Sequence, residues 1–87
     1  MKVTATLVGS SVFQYNKDGA SHTAGTAYFT YSDPQVNGLK TGSMFVGGQD
    51  PDFSVLTDPK NNGKKMELLS TWNGNTKKTN FFFVNLI

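Results

Sequence analysis

Alternation between apolar and polar residues runs through most of the chain, and it constrains the fold more than any other sequence feature. In the first segment, Val3, Ala5 and Leu7 fall on one face of an extended strand. No stretch of useful length repeats apolar residues at the spacing of an amphipathic helix. An 87-residue chain is long enough for one domain. We therefore expect a single all-β domain over residues 1–87.

Turn signals divide this pattern into five predicted strands. Asp18-Gly19 and Asn73-Gly74 are dipeptides typical of tight hairpins, and Val36–Leu39 holds a further hairpin-type turn. The irregular stretch Gln49–Gly63 separates the third strand from the fourth. Within the first strand, the interruption at Gly9 predicts a bulge or bend. The predicted strands cover residues 2–15, 23–31, 40–46, 64–72 and 76–87.

Each of the three prolines follows an aspartate. An aspartate side chain can bond the backbone two residues further on, and proline has a fixed φ, so this dipeptide starts turns. A metal site built from Asp50, Asp52 and Asp58 is the alternative, but their spacing matches no calcium-binding loop. We expect turns at these positions and no metal.

Catalytic residues are hard to find in this chain. His22 is the only histidine, and it follows Ser21 directly. Adjacent side chains on an extended strand point to opposite faces, so the two do not form a nucleophile and base, even with Asp18 nearby. No glycine-rich segment precedes a helix as a phosphate-binding loop does. We predict no enzymatic activity, no catalytic residue and no cofactor.

Composition also limits the cellular setting. The chain has no cysteine, so it has neither disulfides nor a thiolate metal site. No segment approaches the roughly 20 apolar residues that span a membrane, and the first residues do not resemble a signal peptide. We expect a soluble, cytoplasmic protein without a membrane partner.

The basic residues point to nucleic acid without requiring it. The net charge is +2, and all eight basic residues are lysine. Because the chain has no arginine, it has no planar guanidinium group for bidentate contacts with guanine, and we expect little direct readout of the bases. Lys17 lies near Tyr15, and the pair Lys77-Lys78 lies near Trp72. Cations beside rings suit a single strand, because lysine neutralises phosphate while a ring stacks on a base. The alternative is that these lysines only provide solubility at turns and sheet edges.

The aromatic side chains outnumber what a core of this size holds. Tyr28 falls on the face opposite Phe29 and Tyr31. The last strand, Phe81–Ile87, is apolar on both faces, and one of those faces needs a cover. The rest of a closed barrel, a second copy of the chain or a ligand would each provide it.

These features resemble the oligonucleotide-binding (OB) fold, a five-stranded Greek-key barrel, here with an irregular connector between strands 3 and 4. Within that fold, the chain is similar to the small single-stranded-DNA-binding proteins of filamentous phages and related phage or plasmid elements. The similarity covers the overall length, the Met-Lys-Val start, the long first hairpin and the segment Gly63–Trp72 before a final hairpin.

The resemblance implies a symmetric homodimer that coats single-stranded DNA with little sequence preference; RNA remains open as a ligand. The positions that match are Tyr15, Tyr28, Tyr31 and Trp72 for stacking, and Lys17, Lys40, Lys77 and Lys78 for phosphates. Two other interpretations stay open. One is a homodimeric protein-interaction or structural β module, and the other is carbohydrate binding by Trp72 with Asn73 and Asn75.

Overall fold

The computed structural model describes residues 1–87 and contains five β-strands in one antiparallel sheet. The strands are β1 (Lys2–Lys17), β2 (Ala20–Ser32), β3 (Leu39–Gly47), β4 (Lys65–Asn73) and β5 (Lys78–Leu86). Between β3 and β4 lie a single helical turn, α1 (Phe53–Leu56), and a 3-10 turn, Pro59–Asn61. Neither turn has the length or apolar character of a membrane-crossing helix. The predicted all-β class, the five strands and the irregular connector are confirmed.

The strand order is β3-β2-β1-β4-β5. Because β4 returns to lie beside β1, the first four strands form a Greek key, as an OB-type layout requires. The sheet curls until Cα atoms of its two edge strands, β3 and β5, come within 8 Å of each other. No ladder joins these edges, so the barrel has one open seam.

The first hairpin turn follows directly from its sequence. Asp18 and Gly19 both have positive φ, 54° and 77°, which is the backbone of a two-residue type I′ turn. Lys17 therefore pairs with Ala20, and β2 begins three residues earlier than the predicted Thr23.

The aspartates before proline also act as predicted. The Oδ1 atoms of Asp33, Asp50 and Asp58 each accept a hydrogen bond of 2.9 Å from the backbone N–H two residues further on. These bonds hold the β2–β3 loop and two bends of the connector, so the predicted role of the dipeptide as a turn starter is confirmed.

A bulge in β1 decides which side chains face the core. The pairing of β1 with β2 shifts between Leu7 and Gly9, so Val8 and Gly9 together oppose Tyr28. One extra residue reverses the alternation of faces that follows it. Leu7 consequently points into the barrel, whereas Phe13, also at an odd-numbered position, points outward.

The core is small and apolar, and every strand contributes to it. Its largest fully buried side chains are Leu7, Phe29, Leu56, Met66 and Leu68. Leu56 comes from α1, so the connector packs against the barrel interior. The structure also shows which residues of β5 face the core. Its inner face packs Phe81, Phe83 and Leu86 against the core, while Phe82 and Val84 stay exposed.

Gly42 is expected to tolerate no side chain. A Cβ at this position would lie 2.7 Å from two ring atoms of Phe29, which is 1% exposed. Overpacking of this kind costs about 1–3 kcal/mol, and each kcal/mol lowers the Tm of a domain this size by about 4–8 °C. Thermal unfolding of Gly42→Ala, followed by circular dichroism, measures the loss.

Gly47→Ala is the matched control, since Gly47 is also in β3 and a Cβ there meets nothing within 4 Å. Equal melting temperatures for the two variants would contradict the close packing of Phe29 on Gly42.

Candidate nucleic-acid interface

Most of the exposed aromatic rings lie on one surface, the outer face of β1, β2 and β3. Directly paired residues of antiparallel strands share a face. Tyr15 pairs with His22, and Phe45 pairs with Thr26, whose other partner is Ser11. The Oγ of Ser11 lies 3.4 Å from the hydroxyl of Tyr28, which places that ring on the same side. We define the aromatic face as the rings of Phe13, Tyr15, His22, Tyr28 and Phe45.

Four of these rings form a continuous row. The ring centroids of Phe45 and Phe13 are 6.2 Å apart, and those of Phe13 and Tyr15 are 6.4 Å apart. Tyr15 then stacks on His22 at 5.4 Å with an angle of 28° between the ring planes. Phe13, Tyr15, Tyr28 and Phe45 remain between 38% and 63% exposed. Contiguous exposed rings of this kind make this face a candidate binding surface.

One unpaired cation borders this row. Lys17 follows Tyr15 by two positions on β1, so both side chains lie on the same face. Two of the eight lysines form ion pairs, Lys2 with Glu67 at 3.6 Å and Lys40 with Asp33 at 3.7 Å. Lys17 and the other five lysines have no ion-pair partner.

A second aromatic surface, which we call the Trp72 groove, lies where the β4–β5 hairpin passes the start of β1 and the end of β2. The groove encloses about 570 Å³, and Tyr31, Lys40 and Trp72 line it. The ring of Tyr31 packs 5.3 Å from that of Phe81, so it forms part of the wall. Trp72 is 66% exposed and is the most accessible ring of the groove.

The eight residues predicted to bind nucleic acid therefore divide into two sets. Tyr15, Lys17 and Tyr28 lie on the aromatic face. Tyr31, Lys40 and Trp72 line the groove, and Lys77 and Lys78 lie on the adjoining hairpin.

The two sets lie toward opposite ends of β1. Lys17 is the last residue of that strand, whereas the carbonyl of Met1 accepts a 2.8 Å hydrogen bond from the N–H of Ser70. The β4–β5 turn therefore lies beyond the beginning of β1. A single strand that used all eight residues would have to cross the length of the molecule, whose longest dimension is 45 Å.

Sequence reasoning missed three members of the aromatic face: Phe13, His22 and Phe45. Phe13 shares its parity with Val3 and Leu7, so simple alternation places it in the core. The signal that could have moved it outward is Gly9, because a bulge there reverses the faces. Phe45 lies between Met44 and Val46, which are the buried residues of β3.

The side chain of Asn73 has a structural role in the β4–β5 turn. The Oδ1 of Asn73 accepts hydrogen bonds from the backbone N–H of Asn75 at 2.9 Å and of Thr76 at 3.4 Å. That oxygen is thus committed to the turn, which leaves fewer polar groups beside Trp72 for a sugar.

Comparison with protein-family models, with curated proteins and with solved structures found no match. The features that indicate a function are therefore the aromatic face, the Trp72 groove and the lysines around them.

Proposed function

We propose that this protein is a non-catalytic binder of single-stranded DNA with little sequence preference. The observation that carries the proposal is the aromatic face, a row of accessible rings on the outer surface of the sheet. Stacking on an aromatic ring is worth about 1–3 kcal/mol per base and tolerates any base, because every base has a π-face. Sheet surfaces with exposed rings bind single strands in other domains in the same way.

Three rings of the aromatic face and the adjoining Lys17 have defined roles in this binding. Bases stack on Phe13, Tyr15 and Tyr28, and Lys17 contacts a phosphate at the end of the row. No arginine is present to form bidentate contacts with guanine. The rings themselves do not distinguish DNA from RNA, since that distinction needs a contact to the 2′-hydroxyl.

The Trp72 groove extends the proposed site at the other end of the molecule. Trp72 stacks on a base there, and Lys77 and Lys78 neutralise phosphates. OB folds cover about 4–16 nucleotides, so contacts at both ends of one domain are compatible with a single bound strand.

Titration of a fluorescently labelled oligo-dT, followed by anisotropy, tests the proposal. Affinity should fall with salt at a log–log slope of about −0.7 per neutralised phosphate, or roughly −2 to −3 for a few contacts. Quenching of Trp72 in the same titration reports whether the strand reaches the groove. Absence of binding at low salt would refute the proposal.

Replacing Lys77 and Lys78 by glutamate is expected to weaken oligo-dT binding and to reduce the magnitude of the salt slope by about 0.7 for each lost phosphate contact. The matched control is Lys64→Glu/Lys65→Glu, the other basic doublet of the chain. Either variant changes the net charge from +2 to −2, so any difference between them reports position and not overall charge. Equal losses in the two variants would mean that the hairpin lysines contribute only through net charge.

A protein-interaction module is the second candidate, and one observation favours it. On the outer face of β4 and β5, Leu69 pairs with Phe82, and both are exposed beside Val84. This apolar patch is separate from the aromatic face and fits a partner protein better than a charged strand. Under this alternative the Lys77→Glu/Lys78→Glu variant behaves like wild type in every binding measurement.

A further inference from the structure

The second half of β1 has an open edge. β4 pairs with β1 only from Lys2 to Thr6, and two backbone bonds from Gly63 and Lys64 extend this cover to Leu7. Beyond that point β1 pairs with β2 alone. Residues 11–17 of β1 are exposed along their whole length. We call residues 9–17 the open edge.

The ladder register identifies the backbone groups that this edge presents. The carbonyl of Thr23 accepts a 2.8 Å hydrogen bond from the N–H of Gly48, which follows β3. The backbone N–H and C=O of Thr23 therefore point toward β3 and away from Gln14, its partner in β1. In an antiparallel ladder such outward-turned pairs alternate with hydrogen-bonded ones. Positions 10, 12, 14 and 16 of β1 therefore direct N–H and C=O groups away from β2, and no other backbone group bonds them.

Exposed edges of this length are normally protected. Folded proteins block them with charges, prolines, bulges or a covering segment, because an unpaired edge accepts another strand. Residues 10–16 contain no charge and no proline, and the only bulge of β1 in its pairing with β2, at Val8 and Gly9, lies before them. This edge therefore has the properties of a pairing site.

We propose that a second copy of the chain covers the open edge, with the two β1 strands pairing antiparallel around a two-fold axis at Phe13. Ser10 then lies opposite Asn16 of the second copy, and Val12 lies opposite Gln14 of the second copy. All four outward-turned residues of each strand pair in this register. Four hydrogen-bonded pairs with two bonds each give about eight new hydrogen bonds.

The charges around the edge favour a second copy in this register. Lys17, the only charged residue of the open edge, faces Gly9 of the second copy, so no like charges meet. Asp18 falls opposite Val8 of the second copy, an uncharged residue. In this register neither charged residue at the turn, Lys17 or Asp18, opposes a residue of like charge. A surface that complements itself in this way is what a two-fold dimer needs.

This pairing would also join the two aromatic faces, a consequence that rests on the proposed function although the interface itself does not. Phe13 and its copy form a pair without hydrogen bonds, at a Cα separation of about 4.5 Å, with both rings on the outer face. The row from Phe45 to Phe13 then continues into the second copy. The resulting surface offers a single strand twice the number of rings.

Single cysteines test the register, because the chain has none of its own. Under mild oxidation Phe13→Cys should form a disulfide-linked dimer, since the expected Cα separation suits a disulfide. Ser11→Cys and Tyr15→Cys should not cross-link alone, because each lies about 13 Å from its own copy. An equal mixture of those two variants should cross-link, since position 11 faces position 15. Failure of Phe13→Cys and of the mixture would overturn the proposal.

Oligomeric state, measured by sedimentation equilibrium without DNA, provides the second test. In the variant Val12→Lys/Gln14→Lys, each introduced lysine lies opposite an introduced lysine of the second copy. Because like charges repel, this variant should be monomeric at concentrations where wild type dimerises. Val12→Lys/Gln14→Glu places opposite charges there and should remain dimeric. Circular dichroism checks that both variants fold. A monomeric wild type, or a dimer that persists in the double-lysine variant, overturns the interface and leaves the proposed function standing. A dimer that binds no oligo-dT overturns the proposed function and leaves the interface standing.

Discussion

The variant Phe13→Ala/Tyr15→Ala is expected to bind oligo-dT at least about 30-fold more weakly than wild type. Each ring that stacks on a base contributes about 1–3 kcal/mol, and 1.4 kcal/mol corresponds to a factor of ten in affinity. Both side chains are at least 38% exposed, so their truncation leaves the buried core intact. Fluorescence anisotropy at fixed low salt measures the loss, and circular dichroism confirms that the variant folds.

The control removes the same kind of surface elsewhere. Leu69→Ala/Phe82→Ala truncates two exposed apolar side chains on the outer face of β4 and β5. We expect this variant to bind oligo-dT like wild type. If both double variants lose the same affinity, the aromatic face is not the binding surface.

Truncation of Phe29 is expected to have the largest effect on stability. The side chain is 1% exposed, and its ring meets that of Phe81 edge-on at a centroid distance of 5.0 Å. Replacing a buried phenylalanine by alanine costs about 3–5 kcal/mol. A domain of this size has roughly 0.05–0.15 kcal/mol of stability per residue, so the loss is a large part of the total. At about 4–8 °C per kcal/mol, Phe29→Ala should lower the Tm by about 12 °C or more.

Phe82→Ala is the matched substitution for this experiment, because Phe82 is 54% exposed in β5. Surface substitutions of this kind usually change stability by less than about 0.5 kcal/mol. Thermal unfolding of both variants should separate them clearly. Similar melting temperatures would show that the barrel interior is not organised around Phe29.

The sequence predicts local structure well in this chain because the turns are formed by chemistry that acts over a few residues. Asp18-Gly19 supplies the positive φ values that a type I′ turn needs. Asp33 bonds the backbone two residues further on, as an aspartate before proline is expected to do. Strand number and connector position follow once such turns are located.

The candidate site was only partly predictable. Lys17 beside Tyr15 could be read from the chain, because a two-residue spacing keeps both on one face. That Phe45 lies beside Phe13 depends on the pairing of β2 with both β1 and β3, and no local pattern gives that pairing. The sequence also joined Trp72 to Tyr15 in one site, whereas the fold places them toward opposite ends of β1.

The sequence by itself determined that the chain forms five strands, where most of them turn, and that the last strand is apolar on both faces. Only the tertiary structure decided which faces are buried. The bulge at Val8 and Gly9 reverses the alternation of β1, and a shift of one residue exchanges the inner and outer faces of a strand. Phe13 and Tyr15 point outward for that reason, and β1 continues past β4 with an unpaired edge. Both features depend on register between distant segments, which local residue preferences do not specify.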